Sequence, residues 1–235
     1  MYFDGSDHHL LLSGATEGAF RLGSIVASEQ TWADLQTDWS LMLQKHGFDT
    51  LHMRKIMHHD GVYGKSWDEV RPVVAEAVNL VLKRYGHMVC FVQEIDLAIY
   101  RRAKALCPDL KAPEALCVDY CAGQLAILTK GDFGKRNVVT MVFDRDEPYL
   151  KHIRKVWDQS RRASGWPSQV KDIRSGSSSQ EVGLQAVDLM VGLCKYRGLE
   201  KVRYIADMLR AFSVIRFSDF ESENDLIQSL TKRKG

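Results

Sequence analysis

A chain of 235 residues with 45% hydrophobic and 26% charged residues has the composition of an ordinary globular protein, long enough to bury a core without disulfide or metal staples. No apolar run reaches the roughly 18 residues that a membrane span needs, and the start Met1-Tyr2-Phe3-Asp4 has no basic region leading into an apolar core. A membrane protein and a secretory leader are therefore not expected, the expected compartment is the cytoplasm, and five cysteines without paired Cys-x-x-Cys spacing argue against a disulfide framework or a zinc ribbon.

In chain order, Tyr2-Phe3-Asp4-Gly5-Ser6 predicts a short first strand cut off by Gly5, with the carboxylate of Asp4 at its end. A second strand is expected over about 18–27. The spacing of Trp32, Leu35, Trp39 and Met42 predicts an amphipathic helix over 30–45, and an irregular stretch with His52, His58, His59 and Asp60 follows to about 64. Ser66 and Glu69 have the spacing of a capping box before a helix whose apolar positions repeat at i, i+3, i+4, i+7. Met88-Val-Cys-Phe-Val92 reads as a strand buried on both faces. A helix over 114–128 carries Asp119 near its middle. Val138 to Asp144 is a second strand that ends on an acid, and a helix is expected from Asp146 and Pro148 to about Arg162. A short strand over 169–173 precedes a Ser-rich turn. Ser178 and Glu181 have capping-box spacing, and a helix from about 180 to 196 is apolar almost all round except for Asp188. Residues 198–235 read as a C-terminal extension of helix, short strand and polar helix.

Asp188 is the most informative position. A carboxylate carried inward on so apolar a helix must be paired with a cation or protonated, because an isolated buried charge is strongly disfavoured. It is either a structural acid held by a base or backbone donors, or one ligand of a metal-binding carboxylate set. The strand and helix order, antiparallel at the start and then α/β, predicts one α/β domain over 1–235: a ribonuclease H-like mixed sheet flanked by helices, with a helical insertion at about 28–85. In that architecture Asp4, Asp144 and Asp188 meet, although they are remote in sequence. Three carboxylates together repel one another unless cations neutralise them. Mg²⁺ or Mn²⁺ suits such hard oxygen ligands, and a pair of these ions can activate water against a phosphodiester.

Charge is unevenly distributed along the chain. Residues 1–129 hold 12 Lys or Arg against 16 Asp or Glu, whereas 130–175 hold 11 against 6. Lys130, Lys135, Arg136, Lys151, Arg154, Lys155, Arg161 and Arg162 in that basic segment are either solvated helix faces or a candidate track for a phosphate backbone of DNA or RNA.

Tyr-Phe-Asp4-Gly-Ser6, Leu51-His52-Met53, Val-Phe-Asp144-Arg145, and Ser177-Ser178 followed by Leu184-Gln185-Ala186-Val187-Asp188-Leu189 together resemble the Domain of Unknown Function 3800 family, over nearly the whole chain to about 197. The resemblance implies a ribonuclease H-like fold and a metal-dependent nuclease or transposase-related activity. The family usually starts Asp-Glu-Ser-Gly; here Gly5 stands in place of the Glu and Asp7 in place of the Gly, and Asp7 is a candidate substitute acid. The leading expectation is a Mg²⁺- or Mn²⁺-dependent nuclease with Asp4, Asp144 and Asp188 as metal ligands. Asp119, with Glu114 as the alternative, is the candidate fourth acid, and His52 the proton carrier. Ser178, Gln185 and Arg145 are the candidates for orienting ligands or touching substrate. The competing expectations are a catalytically silent module that binds nucleic acid or a protein partner in a mobile-element or phage-defence system, and an enzyme acting on a small phosphate or nucleotide.

Overall fold

The computed structural model describes residues 1–7, 10–11, 13, 17–57, 64–84, 86–131, 138–145, 150–151, 154, 170–211, 215–219 and 222–231. Among the described residues six strands form one mixed sheet: β1 (Tyr2–Ser6), β2 (Ala19–Ala27), β3 (Met88–Asp96), β4 (Val139–Asp144), β5 (Val170–Gly176) and β6 (Ile215–Asp219), in the order β5-β4-β1-β2-β3-β6. β1, β2 and β3 run antiparallel to one another, whereas β4 is parallel to β1, β5 to β4, and β6 to β3. The helices are α1 (Glu29–His46), α2 (Met53–Met57), α3 (Trp67–Leu82), α4 (Leu97–Leu106), α5 (Pro113–Gly131), α6 (Val182–Lys195), α7 (Glu200–Ala211) and α8 (Glu223–Thr231). This is the expected α/β class, a mixed sheet flanked by helices, and α1 to α3 fall within the interval 28–85.

Strand alternation divides the core in two. On β1, Tyr2 packs edge-on against Trp32 at 4.7 Å, while Phe3 points the other way and stacks on Phe143 of β4 at 4.4 Å. The Tyr2 face carries α1, α2, α3, α6 and α7, with Ile25, Cys90 and Val92 beneath them. The Phe3 face carries α4, α5 and α8 over Phe20, Leu22, Phe91 and Ile95. Asp4 and Asp144 each lie one residue from a member of the stacked phenylalanine pair, so both belong to the α6 face.

Close packing of α6 depends on glycines, among them Gly183, where a Cβ would strike the Tyr2 ring. A Cβ on Gly23 of β2 would collide with Val191, and one on Gly192 would stand 2.5 Å from Met53 Cβ. Every residue of α6 except Asp188 and Lys195 is buried, as the apolar run predicts.

Four local expectations need correcting. Gly5 does not end β1: it pairs with Leu22 and the ladder continues to Ser6 opposite Arg21, because β2 supplies partners along the whole strand. The stretch after β3, whose Pro108 and Pro113 predict a variable connection, contains α4, started by Asp96, whose carboxylate accepts the Ile99 N–H at 2.9 Å. Residues 53–57 of the stretch read as irregular are helical. The capping box at Ser178 and Glu181 does not form; α6 starts at Val182, and the Glu181 carboxylate turns instead to Arg174 at 2.6 Å and to the Tyr2 hydroxyl at 2.8 Å. At Ser66 the Glu69 carboxylate does accept the Ser66 N–H, at 2.6 Å.

Among the described residues no helix is long and apolar enough to cross a membrane. The five cysteines are free thiols, and burial raises Cys90 and Cys121 to about 12. His58, His59, Asp60 and most of the basic segment, Lys135, Arg136 and Arg161 included, lie outside the described residues; Lys151 and Arg154 are exposed.

Candidate active site

The site is built on the α6 face where the β1–β4 ladder ends. β1 and β4 are registered at Tyr2–Val142 and Phe3–Phe143, which brings Asp4 and Asp144 to the next step of two adjacent parallel strands. Asp4 faces Gly23 across the antiparallel pair, and Gly23 is the position against which Val187 and Val191 of α6 pack. Asp188, the residue after Val187, is thereby carried over the same part of the sheet. The Gly5 N–H donates to Asp4 Oδ1 at 2.9 Å.

Asp188 is not fully buried; its side chain keeps 17% exposure. Its Oδ2 accepts the Met53 N–H at 2.7 Å, at the first residue of α2, and lies 2.9 Å from His52 Nδ1. The His52 contact is close in distance but poorly aligned as a hydrogen bond. The imidazole pKa is raised, first by Asp188 and further by the charge of Asp144, against burial and the nearby Lys55. One ring thus feels two of the three predicted acids.

Gln185, one turn before Asp188, has a different set of partners from those expected. Its side chain is buried and nearly saturated: Oε1 accepts Trp39 Nε1 at 3.1 Å and the Leu51 N–H at 2.9 Å, and Nε2 donates to the Ser178 carbonyl at 2.7 Å. Gln185 and Asp188 therefore grip alternate residues of the 51–53 strap and leave His52 between them. Ser178 contributes a backbone carbonyl to this arrangement, in a turn where the hydroxyls of Ser177 and Ser179 meet at 2.8 Å. That turn follows Gly176, which is registered with Asp144. Arg145 is exposed just beyond Asp144, with its N–H bonded to the Gly176 carbonyl.

Two predicted acids sit elsewhere. Asp119 is on α5, on the opposite face of the sheet, and is buried in an ion pair with Lys111 at 2.5 Å. Glu114 lines a cavity of about 450 Å³ between α4 and α5 with Leu97, Tyr100 and Arg101. Asp7, the candidate substitute acid, has a left-handed backbone (φ 69°) and is held by Lys195 at 2.6 Å and Arg21 at 3.3 Å. Arg21 reaches on to Glu94 at 2.5 Å, forming a charge network across β1, β2 and β3.

Tyr196 belongs to the site and was not expected. It caps α6 and is half-buried; burial, Asp7 and Asp188 all raise its phenol pKa. Its only sequence signal is its place two turns beyond Asp188 on the same helix.

Carboxylates are the donor chemistry of a hard divalent cation, and Asp4, Asp144 and Asp188 lie on elements that share one face of the sheet. As they stand, no three His, Cys, Asp or Glu side chains among the described residues are close enough together to hold one. Compared with protein-family models, curated proteins and solved structures, the chain matches none.

Proposed function

We propose that the chain is a divalent-metal-dependent nuclease that hydrolyses phosphodiester bonds of DNA or RNA, on a ribonuclease H-like fold related to the Domain of Unknown Function 3800 family. What supports this reading is that Asp4 and Asp144 lie on adjacent parallel strands, on the sheet face against which α6, the helix of Asp188, packs. The strand order β3-β2-β1-β4-β5, antiparallel and then parallel, supports the fold assignment. Asp4, Asp144 and Asp188 would hold Mg²⁺ or Mn²⁺, which supplies Lewis-acid activation of water and neutralises charge on the phosphoryl group.

The chain's own residues provide the rest. His52 has Nδ1 turned to Asp188, which leaves Nε2 as the nitrogen to exchange a proton with substrate or solvent. The exposed guanidinium of Arg145, one residue beyond Asp144, is placed to meet a phosphate. Five free thiols go with a reducing, cytoplasmic compartment.

A second reading is favoured by one observation: the partners of Asp188 Oδ2 are His52 and the Met53 N–H, an arrangement that a catalytically silent nucleic-acid- or protein-binding module would also need. One experiment separates the two. Asp188→Asn keeps an oxygen to accept the Met53 N–H but removes the charge. The proposed nuclease cleaves members of a panel of single- and double-stranded DNA and RNA with Mg²⁺ or Mn²⁺, and the variant cleaves none. Mn²⁺ raises the melting temperature of the wild type, by linkage, and not that of the variant. Cleavage by Asp188→Asn at the wild-type rate overturns the site assignment; a wild type that neither cleaves nor gains stability from Mn²⁺ is the silent module.

A further inference from the structure

We infer that Gln185 is a positioning residue: its single amide sets the separation between the His52 strap on one side and the 177–180 turn, which follows the strand beside Asp144, on the other. The inference rests on the reading of this face as the catalytic one, and it assigns Gln185 a task other than touching substrate.

The geometry is specific. Leu51 and Met53 are buried to 2% and 1% exposure, whereas the His52 side chain between them keeps 39%. Alternate residues of the strap point into the core, and the histidine points out toward the acids. Met53 is fixed twice, by its N–H to Asp188 and by its side chain seated where Gly192 has no Cβ. Leu51 has its N–H on Gln185 Oε1. With both ends of a three-residue strap tied to one helix, His52 has little backbone freedom, and its ring position is left to its side-chain torsions. Without the Gln185 bond the strap can pivot about Met53.

The other end of the same amide acts on the turn. Nε2 donates to the Ser178 carbonyl, two residues beyond Gly176, the residue registered with Asp144. A planar amide with Oε1 on the strap and Nε2 on the turn is a spacer of fixed length. Trp39 Nε1, also on Oε1, locks the amide against flipping, because an indole N–H only donates. All three hydrogen bonds are buried or partly buried, so water is a poor substitute.

The test uses Gln185→Met, which keeps the length and removes all three hydrogen bonds, and Gln185→Glu, which keeps an acceptor for Trp39 and Leu51. Expected in the Met variant are amide exchange at Leu51 faster by about fivefold to tenfold, His52 imidazole resonances moved from their wild-type positions, and kcat lower by about tenfold or more with KM within about threefold. The Glu variant restores Leu51 protection and the His52 resonances toward wild type. Unchanged His52 resonances and Leu51 exchange in the Met variant overturn the inference. So does a Glu variant that folds yet shows the same displaced His52 resonances as the Met variant. A wild type without cleavage removes the nuclease reading but leaves the resonance and exchange readouts to decide the role of Gln185.

Discussion

At the scale of single residues, the acids of this chain sort by what they touch. Asp119 and Asp7 are held by lysine or arginine, Asp188 is held by a backbone N–H and a histidine, and Glu181 joins Tyr2 to Arg174. Glu181 gives a pH prediction. The Arg174 guanidinium, then the Tyr2 hydroxyl, lower its pKa against partial burial. A carboxylate with a depressed folded-state pKa contributes stability that is fully present above the unfolded value of about 4.3 and is lost as pH falls through the folded value. Glu181→Gln should therefore cost about 1–2 kcal/mol near neutral pH, the low side of the roughly 1.5–3 kcal/mol of a hydrogen bond to a charged group because the pair is partly exposed, and progressively less in acid. Melting curves of both proteins from neutral to strongly acidic pH should converge; parallel curves would show that the charge contributes nothing. At this same scale the sequence was only partly legible. Asp188 declares itself by being the one acid in an apolar run, and Asp144 by ending a strand. The role of Gln185 could not be read, because its partners Leu51 and Trp39 are 134 and 146 positions away and carry no local signature.

Elements were legible where a local pattern decided them and illegible where a tertiary partner did. The i, i+3, i+4 repeat of α3 and the apolar run of β3 came through because each buries one continuous face. The continuation of β1 through Gly5 depended on β2, and Glu181 gave up capping α6 because Arg174 and Tyr2 offered it stronger partners. The element that matters most is α6, because it sets the height of Asp188 above the sheet. Gly23 lies directly beneath Val187 and Val191, so Gly23→Ala forces the helix and β2 apart. Overpacking of this kind costs about 1–3 kcal/mol, with roughly 2–4 °C of melting temperature per kcal/mol for a chain of this size. The displacement should also lift Asp188 away from Asp4 and Asp144. The variant is expected to remain folded by circular dichroism, melt several degrees lower, and lose Mn²⁺-dependent stabilisation out of proportion to its stability loss. Retention of the full Mn²⁺ response would mean that the height of α6 does not govern the acids.

Across the whole molecule, topology does what spacing cannot: the β5-β4-β1-β2-β3-β6 order brings residue 4 beside residue 144, and α6, which carries residue 188, packs on the same face at Gly23. The distribution of charge then bears on what this face would meet. The net charge of +2 is small, but the excess of bases falls in 130–175, the segment that includes β4 with Asp144 at its end. An extended polyanion would exploit that excess over several contacts, whereas a small phosphate or nucleotide would need only the residues beside Asp144. The two differ in how binding responds to salt. For a duplex the logarithm of affinity falls with the logarithm of salt at a slope of about −0.9 per phosphate contacted. Lys151 and Arg154 are exposed, so their reversal disturbs no core. Measured in the Asp188→Asn background, where substrate is not consumed, Arg154→Glu should weaken binding of DNA or RNA uniformly across sequences and make the salt slope shallower by about 1. A slope that stays put, with nucleotide affinity equally unmoved, would place the basic segment outside the binding surface and leave Arg145 as the cation adjoining the acids.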